Sequence, residues 1–253
     1  MSAIARKNDR GVVLRLKTLF PKWLWRLITR PAAYVLTALP DGVKYPMGLT
    51  MRRSKNPYVQ IAKDDVVFQI GCPSDLLTVG RSRSAFFLML ISGQGRLVVM
   101  EPDSINCRAM EDFAKRRGLA DRLIVVNAGG WSETKELKFY QSRQHPASAM
   151  LVDMCRHPAD EMARRGYEVI SVDVTTVDEV LAEHGLAPPK LVSITTNGAE
   201  LDILKGMSKT MADGGATYIS VAETGDDFDG PLAKLGYANI AQDDRGFTYQ
   251  KQS

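Results

Sequence analysis

The sequence predicts an α/β fold: a Rossmann-like, mostly parallel seven-stranded sheet preceded by an amphipathic helical arm. Three observations predict it. From residue 65 onward, short apolar runs alternate with helical periodicity, the pattern of parallel strands joined by crossover helices. Two runs stop on residues suited to a ligand: Val66-Val67-Phe68-Gln69-Ile70-Gly71 on a glycine, and Leu97-Val98-Val99-Met100-Glu101-Pro102 on an acid. A third, Leu191 to Ile194, passes through the polar turn Thr195-Thr196-Asn197-Gly198 into a helix that opens at Ala199-Glu200 and closes near Lys205-Gly206. Open α/β sheets hold their ligands at such carboxyl ends of strands.

Residues 1–42 form the arm and 43–253 the sheet domain. Residues 1–10 are polar and read as a frayed end. Val12, Val13, Leu16, Leu19, Phe20, Trp23, Leu24, Leu27 and Ile28 recur at spacings of three and four, one face of a helix. Pro21 breaks that run or restarts it as a first-turn proline, and Pro31 ends it. Residues 41–62 read as irregular, with one short strand from Tyr58 to Ile61.

The sheet domain then reads as strands at 65–70 and 96–100, each followed by a helix, at 82–92 and 104–117. A strand from Arg122 to Val126 ends at Asn127-Ala128-Gly129-Gly130, and Lys135 to Tyr140 is another. Gln141 to Met162 is polar and irregular. Tyr167 to Val174 is a strand, a hairpin partner at a sheet edge. Thr176 suits the N-cap of a helix to His184, with Asp178 and Glu179 in its first turn. After the 191–194 strand and 199–206 helix come a strand at 215–221, a helix at 230–235, and strands at 237–241 and 246–250.

At 253 residues the chain can bury one core plus a helical appendage, and 45% hydrophobic with 25% charged residues is ordinary for a globular protein. No apolar run approaches the roughly 20 residues that cross a bilayer. The start lacks the apolar core and small-residue cleavage site of a signal peptide. Cys72, Cys107 and Cys155 are too few and scattered for a disulfide framework, which points to reduced thiols in a cytoplasmic protein.

The net charge of +4 is unevenly placed: residues 1–30 hold eight Lys and Arg against Asp9, or +7, which leaves −3 for the rest. A slightly acidic body excludes nucleic acid as its partner. For residues 1–40 two readings stand. Trp23, Trp25 and Phe20 with flanking cations suit the headgroup region of an anionic membrane, placing the protein on the inner face. The same apolar face also suits packing on the body or on a protein partner.

Several motifs in order resemble the FkbM-type family of S-adenosylmethionine (SAM)-dependent methyltransferases, over about residues 60–250. The most specific is Asn197-Gly198-Ala199-Glu200-Leu201-x-x-Leu204-Lys205-Gly206. Supporting it are the Phe-x-Ile-Gly run at 68–71, Gly95-Arg96 leading to Glu101-Pro102, Val125-Val126-Asn127-Ala128, and Val174-Thr175-Thr176-Val177-Asp178-Glu179-Val180. The resemblance implies a class I methyltransferase fold, SAM as cofactor, and O-methylation of a sugar, glycolipid or related metabolite, a small or lipid-linked acceptor. It places Gln69, Gly71, Cys72, Glu101, Asn127, Ala128, Thr195 and Asn197 at the cofactor, with Glu101 on the ribose hydroxyls. The chain departs from the family at polar positions. Gln69 stands where an acid is usual, Cys72-Pro73-Ser74-Asp75 replaces a compact glycine turn, and Ser193-Ile194-Thr195-Thr196-Asn197-Gly198 replaces Lys-Ile-Asp-Val-Glu-Gly. A second reading follows from these changes: a catalytically degenerate relative acting as a membrane-peripheral scaffold or assembly subunit.

A hydroxyl acceptor usually needs a base. His145, His157 and Glu223 are the candidates, each with the plainer alternative of an exposed loop residue. His184, before Gly185, reads as a helix end cap. No metal site is expected, because Thr195 and Asn197 replace the carboxylates that would hold magnesium and no second cluster accompanies Asp153-Met154-Cys155-Arg156-His157.

Overall fold

A computed structural model of the chain describes residues 38–142, 150–155, 157–222 and 228–252. The amphipathic run from Val12 to Ile28 lies outside them, as do His145 and Glu223. Among the described residues no helix is long and apolar enough to cross a membrane.

The strands are β1 (Val66–Ile70), β2 (Arg96–Met100), β3 (Leu123–Val126), β4 (Gly129–Gly130), β5 (Lys135–Gln141), β6 (Met150–Leu151), β7 (Glu168–Thr175), β8 (Leu191–Ile194), β9 (Tyr218–Ala222), β10 (Tyr237–Gln242) and β11 (Gly246–Lys251). Seven of them form the main sheet, in the order β10-β11-β9-β8-β1-β2-β3. The pairs from β9 through β8, β1 and β2 to β3 are parallel, and β11 runs antiparallel to both neighbours. This is the class I methyltransferase arrangement that the sequence led us to expect.

All five residues of β1 are buried, as a parallel strand covered on both faces requires. Alternate residues serve the two layers. Val67, Leu97, Val99 and Leu191 pack against Phe86, Phe87, Met110 and Phe113 of the helices Arg83–Leu90 and Ser104–Arg116. Phe68, Val98, Val192 and Ile219 pack on the opposite face, against Val180, Ile203, Met211 and Leu232. The helix Val177–Glu183 carries the capping box that its sequence announced: Thr176 accepts from Glu179 N–H, and the Glu179 carboxylate returns to the Thr176 N–H.

Four sequence expectations need correction. Residues 41–62 are not irregular: Asp41–Thr50 is a helix despite Gly42, Pro46 and Gly48. Packing overrides propensity there. The Tyr45 ring lies 4.7 Å from that of Phe113 and 5.7 Å from that of Phe86, and its hydroxyl donates to Leu77 O at 2.6 Å. Gly48 is small for a reason, since a Cβ there would sit 2.9 Å from the Phe86 ring.

Tyr58 to Ile61 is not a strand. Tyr58–Gln60 is a 3₁₀ turn, and Tyr58 drops its ring between Phe86 and Phe87 while Val59 stays exposed. The segment 141–162 is not wholly irregular either, since its described residues include β6 and the start of the helix Ala159–Arg164. Finally, β7 is an antiparallel hairpin partner of β5, as expected, but it does not lie at a sheet edge. It joins β4, β5 and β6 in a second, four-stranded sheet of order β4-β7-β5-β6, entered directly from β3 through Gly129.

Candidate functional site

The site forms where β2, β1, β8 and β9 end side by side. Gly71 follows β1 with φ +86°, and its N–H donates to Met100 O at 2.9 Å. A Cβ at this position would lie 2.5 Å from Thr195 O, so the first turn presses against the backbone after β8. Only glycine suits both the conformation and the contact.

Glu101, at the end of β2, is 6% exposed. One carboxylate oxygen accepts from Cys72 N–H at 2.7 Å and the other from Asp103 N–H at 3.0 Å. Burial pushes its carboxyl above the usual carboxylate range, against the lowering effect of those two N–H groups. The Asn106 side chain is a third hydrogen-bond partner of this carboxylate and also lowers its pKa. Asn127 donates to Glu101 O and Pro102 O, so its side chain fixes the end of β2, and Ala128 is buried beside it.

Gln69 is 1% exposed. Its Nε2 donates to Thr195 Oγ1 at 2.7 Å, to Gly71 O at 2.9 Å and to Ile70 O at 3.2 Å. Thr195 Oγ1 in turn lies 3.1 and 3.2 Å from Gly71 O and Ile70 O. The two neutral residues thus form a buried lock between the first turn and the end of β8. Gln69 Oε1 is buried without a hydrogen-bond partner among the described residues.

Register explains the rest. Gln69 pairs with Ser193, Ser193 with Ser220, and Ser220 with Thr248, a polar row across four neighbouring strands. Arg83, from the first turn of its helix, lies on that row. Its guanidinium donates to Ser193 Oγ at 3.1 Å and Ser220 Oγ at 2.7 Å, and pairs with Asp243 at 2.5 Å and Asp244 at 2.8 Å. Burial disfavours the charge on Arg83, but the two carboxylates hold its guanidinium above its ordinary value. Asp243 also accepts from Ser220 and Thr248, and Asp244 from Tyr58 and Arg52. The sequence reading missed this network. A run of Gln, Ser, Ser and Thr inside buried strands was its signal.

Two cavities flank the first turn. The larger, about 280 Å³, is walled by Gln69, Ser82, Arg83, Ser84, Ala222 and Arg245, among others. The smaller, about 90 Å³, is mainly apolar and lies among Ile70, Met100, Glu101, Gly130, Phe139 and Leu151, so the second sheet closes it. Gly71, Pro73, Thr195, Thr196 and Asn197 form a rim common to both.

The structure therefore brings Gln69, Gly71, Cys72, Glu101, Thr195 and Asn197 to one place. Cys72 is present chiefly through its backbone. Its thiol accepts from Ser84 Oγ at 3.0 Å, and burial pushes it up to about 12. His157 is not brought in. It is exposed, its Nδ1 3.4 Å from Glu161 one helical turn on, and it lines neither cavity. His184 is the exposed C-cap of its helix, as expected. Among the described residues no group of three His, Cys, Asp or Glu side chains is placed to hold a metal ion.

The pattern of the methyltransferase FkbM domain matches residues 76–235. The match begins just beyond the first turn, where the chain departs from the family. No curated protein matches the chain. Among solved structures, it resembles methyltransferase FkbM from Methylobacillus flagellatus KT at 15% identity, over 89% of this chain and 59% of that one, with a TM-score of 0.47. The chain thus spans about three fifths of that protein's length. A methyltransferase from Geobacter sulfurreducens is 13% identical over 89% of this chain and 96% of that one, with a TM-score of 0.45. Aeropyrum pernix fibrillarin, solved with natively bound S-adenosyl-L-methionine, is 10% identical over 82% and 74%, with a TM-score of 0.44.

Proposed function

The chain belongs to the FkbM methyltransferase family, and from that premise we propose that it is a SAM-dependent O-methyltransferase acting on a hydroxyl of a sugar, glycolipid or related metabolite. The observation that carries the cofactor half of this reading is Glu101 beside the apolar cavity. Its two oxygens are fixed by Cys72 and Asp103 N–H groups, and the carboxylate borders the cavity as an acceptor for ribose hydroxyls. Ile70, Met100, Phe139 and Leu151 offer the apolar walls that an adenine ring needs. Gly71 lets the backbone approach closely, and Gln69 is among the residues that line the larger cavity. The residues present fit the cofactor, with an amide in the place of the family's acid.

When bound, SAM supplies a methyl group on an electrophilic sulfonium. The chain's own residues then position the two reactants, which accounts for much of the catalysis of such a displacement. The rim Gly71, Thr195 and Asn197 joins the two cavities, so a ligand lying across it meets both. With His157 outside the walls, His145 and Glu223 remain to take the hydroxyl proton. Glu223 directly follows the cavity-lining Ala222.

The acceptor half is tested with methyl-labelled SAM and neutral or acidic sugars. Label should appear in a base-stable ether. Label in a base-labile ester or on nitrogen would contradict the hydroxyl assignment. Transfer should also survive a chelator, because Thr195 and Asn197 offer no carboxylate at the end of β8. Activity lost in the chelator and restored by magnesium would overturn that expectation.

A further inference from the structure

We propose that the outer face of the helix Asp41–Thr50 docks on an anionic phospholipid surface, together with the basic run that precedes it. Docking of this kind needs neither cofactor nor acceptor, so it stands or falls apart from the methyltransferase reading.

This helix is apolar on both sides. Inward, Tyr45, Gly48 and Leu49 meet the core. Outward, Gly42, Val43, Pro46, Met47, Thr50 and Met51 are exposed, and none of them is charged. Val43, Met47 and Met51 recur every four residues and are 51%, 42% and 64% exposed. A helix that is apolar all round is normally covered on both sides. Among the described residues, three of the nine exposed large hydrophobics stand on this one helix and its C-cap. That is a concentration, not the single scattered residues normal on a surface. The face is also ready to lose water. Thr50 carries its only hydroxyl, which already donates to Pro46 O at 2.9 Å.

Charge decides what covers it. Residues 42–63 hold Lys44, Arg52, Arg53, Lys55 and Lys63 and no acid, or +5. With +7 on residues 1–30, none on 31–40 and −1 at Asp41, residues 1–63 carry +11, which leaves −7 for the rest of the chain. Lys44 is matched by Asp41 and Arg52 by Asp244. Arg53 and Lys55, just past Met51, are exposed and form no ion pair among the described residues.

Three occupants compete for this face, and charge separates them. A second copy in a two-fold contact would set Arg53 and Lys55 against their own counterparts. The +7 run, folded back over the face, would meet the same cations. An anionic bilayer attracts both basic segments and repels the −7 remainder, so it also orients the molecule. Phe20, Trp23 and Trp25 of the basic run are residue types that settle at headgroup depth. Residues 31–40, which carry no charge, join that run to the helix.

The test is co-sedimentation of the full chain with vesicles of phosphatidylcholine alone, and of phosphatidylcholine mixed with phosphatidylglycerol. Wild-type protein should bind the anionic vesicles more tightly, and less as salt rises. The double variant Met47→Gln, Met51→Gln keeps every charge and the whole basic run. It should lose about tenfold in affinity, as two half-exposed methionines leave the apolar contact. The double variant Arg53→Gln, Lys55→Gln should lose about fivefold for each charge, more at low salt than at high. Both variants should keep the wild-type unfolding temperature and, by light scattering, its molecular mass. Wild-type protein that binds neither vesicle, or both alike, overturns the proposal. So does full affinity in Met47→Gln, Met51→Gln, which would leave all attachment to residues 1–40. A lowered unfolding temperature in that variant would show the face covered by the chain's own basic run. A dimer that it turns into monomer would show the face covered by a second copy. Either result also overturns the proposal.

Discussion

Asp243→Ala should destabilise the fold by about 3–5 kcal/mol, the cost of breaking a buried pair and leaving its partner charge uncompensated. The Asp243 side chain is fully buried, and it accepts from Arg83, Ser220, Thr248 and the N–H groups of Arg245 and Gly246. Asp244 remains to share the Arg83 charge, but it cannot reach all of these donors. Urea unfolding measures the effect, and a loss below about 1 kcal/mol, the scale of a surface pair, would show that the network does not hold the C-terminal hairpin to the first turn. The same network sets an acid limit. Burial raises the Asp244 carboxyl, but Arg83, Arg52 and the Tyr58 hydroxyl together hold it below the usual carboxylate range. A depressed folded-state value stabilises the protein above the unfolded value, near pH 3.9 for Asp. That contribution disappears as pH falls through the lower folded value. Asp244→Asn should remove this part of the acid dependence and leave the slope near neutrality unchanged.

Glu101→Ala should weaken S-adenosylhomocysteine binding by about 1.5–3 kcal/mol, the worth of hydrogen bonds to a charged group. It acts twice, because the N–H groups of Cys72 and Asp103 lose their acceptor as well. The first turn then loosens beside Gly71. Because burial raises the Glu101 carboxyl, protonation begins above the usual Glu value of about 4.3. Ribose hydroxyls donate best to the ionised form, so affinity should start to fall above that pH on acidification. Affinity that is flat from pH 7 to 4.5, or unchanged in Glu101→Ala, would place the ribose elsewhere.

Much of this was legible in the sequence because the main strands are continuous apolar runs, and β2 and β8 fall where those runs predicted them. Strand ends were legible too: Gly71 and Glu101 meet as their types suggested. What stayed hidden depends on register or on packing. Gln69, Ser193, Ser220 and Thr248 look like isolated polar residues until pairing sets them in one row. Arg83 opens a helix and looks exposed. Only the third dimension carries it under Asp243-Asp244, which lie between the two final strands. The helix Asp41–Thr50 was hidden by its own glycines and proline, since Tyr45 holds it in place from the core. Gln69 and Thr195 read as losses of charge, and in the structure they also form a lock joining β1 to β8.

The most direct measurement is calorimetric titration of the full chain with SAM and S-adenosylhomocysteine. Saturable binding below millimolar concentration, at one site per chain and weakened in Glu101→Ala, is the expected result. Wild-type protein that gives no binding heat at millimolar SAM at two temperatures, with its unfolding temperature unmoved by either ligand, would contradict it and leave a methyltransferase fold without its cofactor.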